Sequence, residues 1–212
     1  ADADDWWAGM IGPGKALDPE RDYIVCSNVL GGCYGTSGPL SPTTDGTRRQ
    51  GGAFPRVTVR DMVHLQRRLL DALGVGDLAL VIGPSLGGMQ VLEWCLRFPA
   101  RIKGAIPLAT TMRHSALAIA FNEVARQAIM VDPKWNRGNY YDSERPDLGL
   151  SVARMIGHIT YLSEMLLDAK FGRRLQSADR LSYDIHHEFA VESYLNHQGT
   201  RFTERFDANS YI

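Results

Sequence analysis

The sequence predicts an α/β fold: a parallel sheet covered by helices, followed by a helical lid. Three observations predict it. Leu78 to Ile82 is a continuous apolar run that ends in Gly83-Pro84-Ser85-Leu86-Gly87 and opens directly into a helical pattern. Strand and helix patterns alternate from Tyr23 to Ala109, the order that builds a parallel sheet with helices on its faces. After Thr111 the strand signal disappears and helical periodicity takes over. Residues 1–111 therefore read as a core segment carrying a sharp serine turn, and residues 112–212 as a helical lid segment.

Length and composition bound the function before any motif does. The 212 residues, 44% of them hydrophobic, suit one globular domain with a sizeable core. Lysine and arginine number 23 against 24 acidic residues, a net charge of -1, which gives no electrostatic reason to bind nucleic acid or an anionic membrane. No apolar run approaches membrane-spanning length, and the opening ADADDWW lacks the basic then apolar order of a signal peptide. The chain reads as though cut from something longer. Cys26, Cys33 and Cys95 make an odd number without C-x-x-C spacing, and Cys26 and Cys95 fall in elements expected to be buried. They read as reduced thiols of a cytoplasmic protein. His186 and His187 are adjacent, with no Cys or His at a supporting interval, so no metal site is expected.

In chain order, residues 6–22 are irregular. Gly9 to Ala16 nearly spells a phosphate-binding P-loop, but Ala16 stands where a magnesium-holding hydroxyl is needed and no strand precedes it. Tyr23 to Val29 is β-branched enough for a buried strand and runs into the glycine cluster Gly31 to Gly35. No helix follows, which weakens a dinucleotide-binding reading; a long polar loop runs instead to Phe54-Pro55, of the length that usually serves as a lid or binding loop. Thr58 and Asp61 open a helix whose apolar side holds Val59, Met62, Val63, Leu65, Leu69, Leu70 and Leu73, and Gly74 stops it. The apolar strand and its serine come next. A helix is read from Gly88 to Phe98, closed by Pro99. Ile102 to Ala109 is another strand, and Pro107, lacking a ladder donor, places it near an edge or shortens it.

Beyond Thr111, His114 to Met130 is a helix with Ala116, Leu117, Ala120, Val124, Ala128 and Ile129 on its apolar side. A tyrosine-bearing connection then leads to a single helix from about Leu150 to Leu167. Ser151, Arg154, His158 and Tyr161 share one face of it. That stripe is either a solvated face or the wall of a pocket in which Arg154 grips a carboxylate. Residues 171–212 look polar, with short helical pieces, as the outer wall of a lid or a partner surface.

Ser85 is the candidate nucleophile, because glycines either side of a strand-to-helix turn let the backbone crowd together and raise the hydroxyl clear of the sheet. The alternative is a serine that merely caps the following helix. Several longer runs decide the context: WWAGMIGPGKALDPERDYIVCSNVLGGCYGTSGP, FPRVTVRDMV, IGPSLGGMQVLEW, ARMIGHITYLS and RFDANSY. Through them the chain resembles the homoserine O-acetyltransferases, acyltransferases of methionine biosynthesis with the α/β-hydrolase fold. The resemblance implies that Ser85 is acylated by acetyl-CoA, used as donor substrate with no bound cofactor. It implies that the Leu86 N–H helps hold the oxyanion and that Arg154 binds the carboxylate of L-homoserine. It also makes the later helices a lid that helps build a homodimer. The family carries its triad Asp and His after the position of Ile212, and an oxyanion-hole loop before that of Ala1. Within the sequence the triad order could be imitated by Asp168, Asp179 or Asp184 with His186, His187 or His197, which no family motif marks. Pro84 departs from the smaller residue usual there, and fixes φ next to the nucleophile. An esterase on the same sheet, or a piece without catalysis of its own, are the other readings.

Overall fold

The computed structural model describes residues 7–176, 180–181 and 188–212. Its order is α1 (Val59–Ala72), β1 (Val81–Pro84), α2 (Leu86–Arg97), β2 (Ala105–Leu108), α3 (Ala116–Met130), α4 (Asp147–Thr160), α5 (Glu164–Lys170), α6 (Ala190–Thr203) and α7 (Ala208–Tyr211). Strands β1 and β2 pair in parallel, with Val81 opposite Ala105 and Pro84 opposite Leu108, and a single bridge joins Leu78 to Ile102. Pro107 lies opposite Gly83 in β2, which has no further neighbour among the described residues, so its missing N–H interrupts no second ladder.

The capping signal at Thr58 is realised in full. Thr58 Oγ1 accepts from the Asp61 N–H while the Asp61 carboxylate accepts from the Thr58 N–H at 2.8 Å. Only part of the apolar side of α1 is covered, since Val63 and Leu70 are buried whereas Leu65, Leu69 and Leu73 remain exposed. Val63, Leu70 and Trp94 form the core of the α/β part, with Val81, Phe98 and Ile102 against it. A second core is wholly helical: Ala125, Ile129, Tyr140, Leu150, Ala153, Phe202 and Ala208. At its centre the buried Asp207 accepts from Tyr140 Oη at 2.6 Å, Tyr141 Oη at 3.0 Å and the Ser210 N–H. Burial and the Asp207 carboxylate hold both phenols well above the ordinary tyrosine range.

Five expectations are corrected. Tyr23 to Val29 is not a strand: no ladder partner lies beside it among the described residues, and β-branched sequence without a partner strand stays irregular. Cys26, in that segment, is consequently exposed, and all three thiols are free. β1 is half-buried rather than fully buried, because one strand flanks it and Leu80 is exposed. The buried side of α3 is Ala125 and Ile129, while Leu117 and Val124 face outward. The single helix over Leu150–Leu167 is two: α4 ends at Thr160, and Ser163 caps α5 by accepting from the Leu166 N–H. Residues 190–203, read as polar and fragmentary, form the 14-residue α6, packed on α4 and supplying Phe202 to the core. The P-loop look-alike closes on itself, with Lys15 Nζ donating to the Ala8 carbonyl at 2.5 Å and the Gly14 N–H to Asp18.

Candidate active site

Ser85 stands between β1 and α2 at φ 52°, ψ -117°, a left-handed conformation that a side chain bearing Cβ adopts only when its surroundings impose it. The surroundings are visible. The Ser85 N–H donates to the Leu108 carbonyl at 2.9 Å, and its own carbonyl accepts from Thr110 Oγ1 at 2.8 Å and from the Met89 N–H at 3.1 Å. This bond keeps the register of the parallel ladder, four residues on from the bond of the Val81 N–H to the Gly104 carbonyl, so Pro84 withholds no donor from β2. Close approach explains the neighbouring glycines: a Cβ on Gly83 would lie 2.5 Å from the Gly87 carbonyl carbon, and one on Gly88 would lie 2.6 Å from Thr110 Cγ2.

Although Ser85 occupies the N-cap position of α2, its side chain caps nothing, and the residue is exposed. The capping alternative is thereby removed, and the hydroxyl is open to a partner. Leu86, the first residue of the helix, has an N–H that the helix cannot satisfy, so it is left facing outward beside the serine with no acceptor among the described residues. Such a donor at a positive helix end suits a developing oxyanion.

The turn is seated from behind by a chain of amides that the sequence reading did not single out. Trp94 Nε1 donates to Gln66 Oε1 at 2.8 Å, Gln66 Nε2 donates to Gln90 Oε1 at 2.5 Å, and Gln90 Nε2 reaches the Leu86 carbonyl at 3.4 Å. Gln90 and Trp94 are buried, so α1 holds the first turn of α2 through polar contacts inside an apolar core. The signal was a Gln at helical spacing on an otherwise apolar face of α1, where a polar residue must find a partner.

Arg154 lies on α4, against Phe202 of the helical core, and no hydrogen bond joins it to Ser85 among the described residues. Its guanidinium sits 4.6 Å from the Phe202 ring centroid and 5.6 Å from that of Tyr161, and Nη1 donates to Tyr161 Oη at 3.3 Å. No acidic side chain pairs with it among the described residues, and its Nε is buried without an acceptor. The polar stripe is solvated only at one end: Ser151, Arg154 and His158 are half-buried against α6, whereas Tyr161 is exposed, as are the apolar Val152 and Ile159.

None of the described histidines is hydrogen-bonded to Ser85. His64 packs edge-on to Phe98, His114 lies 3.5 Å from Asn122 Nδ2, His158 pairs with Tyr194, and His197 lines an open groove between α6 and the segment 171–176. Asp168 and His197 form no ion pair or hydrogen bond with each other, and Asp179, Asp184, His186 and His187 lie outside the described residues. Among the described residues no three His, Cys, Asp or Glu side chains converge as a metal site would require.

Comparison with known proteins agrees with the likeness read from the sequence. The pattern of the alpha/beta hydrolase fold matches residues 1–209. The chain is 55% identical over 207 residues to a homoserine O-acetyltransferase of Desulfotalea psychrophila, and 57% identical over 208 residues to one of Zymomonas mobilis. Each alignment covers 98% of this chain but 53% and 56% of the relative, so the chain spans about half the length of the curated relatives it matches. Among solved structures, the homoserine O-acetyltransferase of Bacillus anthracis superposes with a TM-score of 0.86 at 27% identity, covering 99% of this chain and 58% of that one. Esterase E22 superposes with a TM-score of 0.87 at 30% identity, over 99% and 60%. A serine held at positive φ on a strand-to-helix turn, a helical layer built after the sheet and these alignments together lead to one statement: the chain belongs to the α/β-hydrolase fold family.

Proposed function

We propose that the complete protein moves an acetyl group from acetyl-CoA to the hydroxyl of L-homoserine through an acyl-enzyme on Ser85, a step of methionine biosynthesis in the cytoplasm. The single observation that carries this reading is the exposed Ser85 hydroxyl on a strained turn, beside the unsatisfied Leu86 N–H. Ser85 Oγ attacks the thioester carbonyl and passes its proton to a histidine base, which the family places after the position of Ile212. The carbonyl oxygen takes the negative charge and is held by the Leu86 N–H. The C–S bond then breaks, and the thiol leaves with the proton from the histidine. Homoserine enters with its carboxylate at Arg154, its hydroxyl attacks the acyl carbon while giving its proton to the histidine, and the bond from the acyl carbon to Ser85 Oγ breaks as Oγ takes that proton back and the ester departs. Transfer outruns hydrolysis because the helical layer keeps water from the acyl-enzyme. Acetyl-CoA is consumed as substrate, and no bound cofactor is needed.

Two copies of the chain are proposed to meet through this layer. The support is an apolar surface no described element covers: Leu117 and Val124 on α3, Val131 just after it, and Leu148, Val152 and Ile159 on α4, between 43% and 76% exposed.

An esterase is the second reading, favoured by the close superposition on esterase E22. The two are separated by incubating the full-length protein with radiolabelled acetyl-CoA and mapping the labelled peptide. Label on Ser85 that homoserine discharges as the ester is expected; label released as acetate at a rate indifferent to homoserine would establish the esterase instead. Arg154→Ala is expected to raise the homoserine KM by about 10–100-fold, the worth of one charged hydrogen-bonded contact, with a much smaller effect on acetylation of Ser85.

A further inference from the structure

The two strands leave the sheet at the same register. Pro84 lies opposite Leu108, so one step on Ser85 stands opposite Ala109, and both are left-handed, at φ 52° and φ 43°. Neither is a glycine, so each conformation is imposed by its surroundings. At Ser85 it raises the hydroxyl. At Ala109, whose methyl group has no chemistry to offer, the turn serves the next residue: Thr110 comes back across the ladder, and its Oγ1 donates to the Ser85 carbonyl at 2.8 Å. Gly88 leaves the recess that Thr110 fills, since a Cβ there would meet Thr110 Cγ2 at 2.6 Å and Cβ at 2.7 Å.

The Ser85 carbonyl and the Leu86 N–H are the two ends of one planar trans peptide, and they point in opposite directions. Whatever holds the oxygen therefore aims the hydrogen. The oxygen is held twice, by Thr110 Oγ1 and by the Met89 N–H at 3.1 Å. The Met89 bond is one that any α-helix makes at its start. The Thr110 bond is additional, and it ties the peptide to the end of β2 instead of to its own helix. A second bond on the carbonyl also draws electron density out of the amide, which strengthens its N–H as a donor. That N–H is the one with no acceptor among the described residues.

We propose that Thr110 is a positioning residue of the acyl transfer: by donating to the Ser85 carbonyl it locks the Ser85–Leu86 peptide so that the Leu86 N–H is aimed at the oxygen of the tetrahedral intermediate. The assignment rests on the acyl-enzyme reading of Ser85 and adds to it a residue that touches neither substrate. An oxyanion carries more charge than the carbonyl it comes from, so a better-aimed donor acts on the transition states far more than on substrate binding.

The test uses the full-length protein and acetyl-CoA isotopically labelled at its carbonyl carbon. Thr110→Val keeps the branched shape against Gly88 and removes the hydroxyl, whereas Thr110→Ser keeps the hydroxyl and removes the methyl. In Thr110→Val the first-order rate constants for acetylation of Ser85 and for transfer to homoserine are expected to fall by about 5–10-fold, with half-saturating concentrations changed by less than about twofold. Thr110→Ser is expected to stay within about twofold of the unsubstituted protein in both steps. Isotope-edited infrared spectra of the acyl-enzyme formed without homoserine supply a second reading. The ester carbonyl stretch should move to higher wavenumber in Thr110→Val and not in Thr110→Ser, because a weaker hydrogen bond leaves the carbonyl more double-bond character.

A first-order rate constant does not depend on how much of a preparation is folded, so lost stability alone moves neither reading. Should Thr110→Val not yield folded protein, Thr110→Ala decides in its place, since it differs from Thr110→Ser only by the hydroxyl. Unchanged rate constants and carbonyl stretch in Thr110→Val, equal losses in Thr110→Ser, or a loss confined to the half-saturating concentrations would overturn the assignment. If the unsubstituted protein forms no ester at Ser85, the acyl-enzyme reading falls and the role of Thr110 with it; if the ester forms and the variants match the unsubstituted protein, only the role of Thr110 falls.

Discussion

At Ser85 the backbone conformation and the chemistry are in conflict, and the conflict can be measured. A residue with Cβ at φ 52°, ψ -117° costs on the order of 1–3 kcal/mol relative to a relaxed conformation, and here the cost is carried by the ladder bond to Leu108 and the bond from Thr110. Ser85→Gly should therefore abolish acyl transfer and yet raise stability by about 1 kcal/mol, seen as a higher midpoint in urea unfolding of the complete protein. Ser85→Ala, which removes the hydroxyl but keeps Cβ, should lose activity without that gain. The turn at this residue was legible in the sequence because its close approach needs glycines. The inward orientation of Arg154 was not legible, since spacing alone assigns residues to a common face without saying what packs on that face. The outcome was decided by α6, whose Gly199 lets the Ser151 side of α4 approach so closely that a Cβ there would lie 2.3 Å from Ser151 Oγ.

Among the elements, α2 shows how a helix is held at the angle that its first residue requires. Gly88 lies against Thr110, whose hydroxyl is held by the Ser85 carbonyl and whose methyl would meet a new Cβ at 2.6 Å. Gly88→Ala is expected to destabilise the protein by about 1–3 kcal/mol in urea melts through overpacking. The double variant Gly88→Ala with Thr110→Ser, which keeps the hydroxyl and removes the methyl, should recover only a small part of the loss, since the Thr110 Cβ at 2.7 Å and the Gly83 carbonyl at 3.1 Å still meet the new Cβ. The start of α2 was misplaced by two residues because Gly87 looks like loop sequence, while its neighbours Gly83 and Gly88 serve close approach. The break between α4 and α5 had a readable cue in Ser163-Glu164, a cap followed by an acidic first turn, but the unbroken apolar periodicity outweighed it.

Over the whole molecule, both strands of the described residues precede the run α3 to α7, an order legible in the sequence because strand and helix patterns differ in period whatever the tertiary context. It failed at Tyr23 to Val29, because strand formation depends on a neighbour that no local pattern encodes. The outward stripes of α3 and α4 belong to the same scale. The pattern marked Leu117 and Val124 as buried, and within one chain they are open at 67% and 55%. If a second copy covers them, Val124→Asp should shift the full-length protein from dimer to monomer in light scattering at micromolar concentration, with its circular dichroism retained. A dimer that persists with this charge in the stripe would remove α3 from the interface.

The amide chain behind the turn has a sense of direction. An indole can only donate, so Trp94 fixes which end of Gln66 faces it, Gln66 in turn fixes Gln90, and the last amide hydrogen is aimed at the Leu86 carbonyl. The polarity of three side chains is therefore set by one ring nitrogen, and none can be reversed without leaving two like atoms face to face. Such a latch has no half-turned state. It either seats the reactive turn or opens completely, which is how buried polar contacts of modest strength can give a hydroxyl a single address.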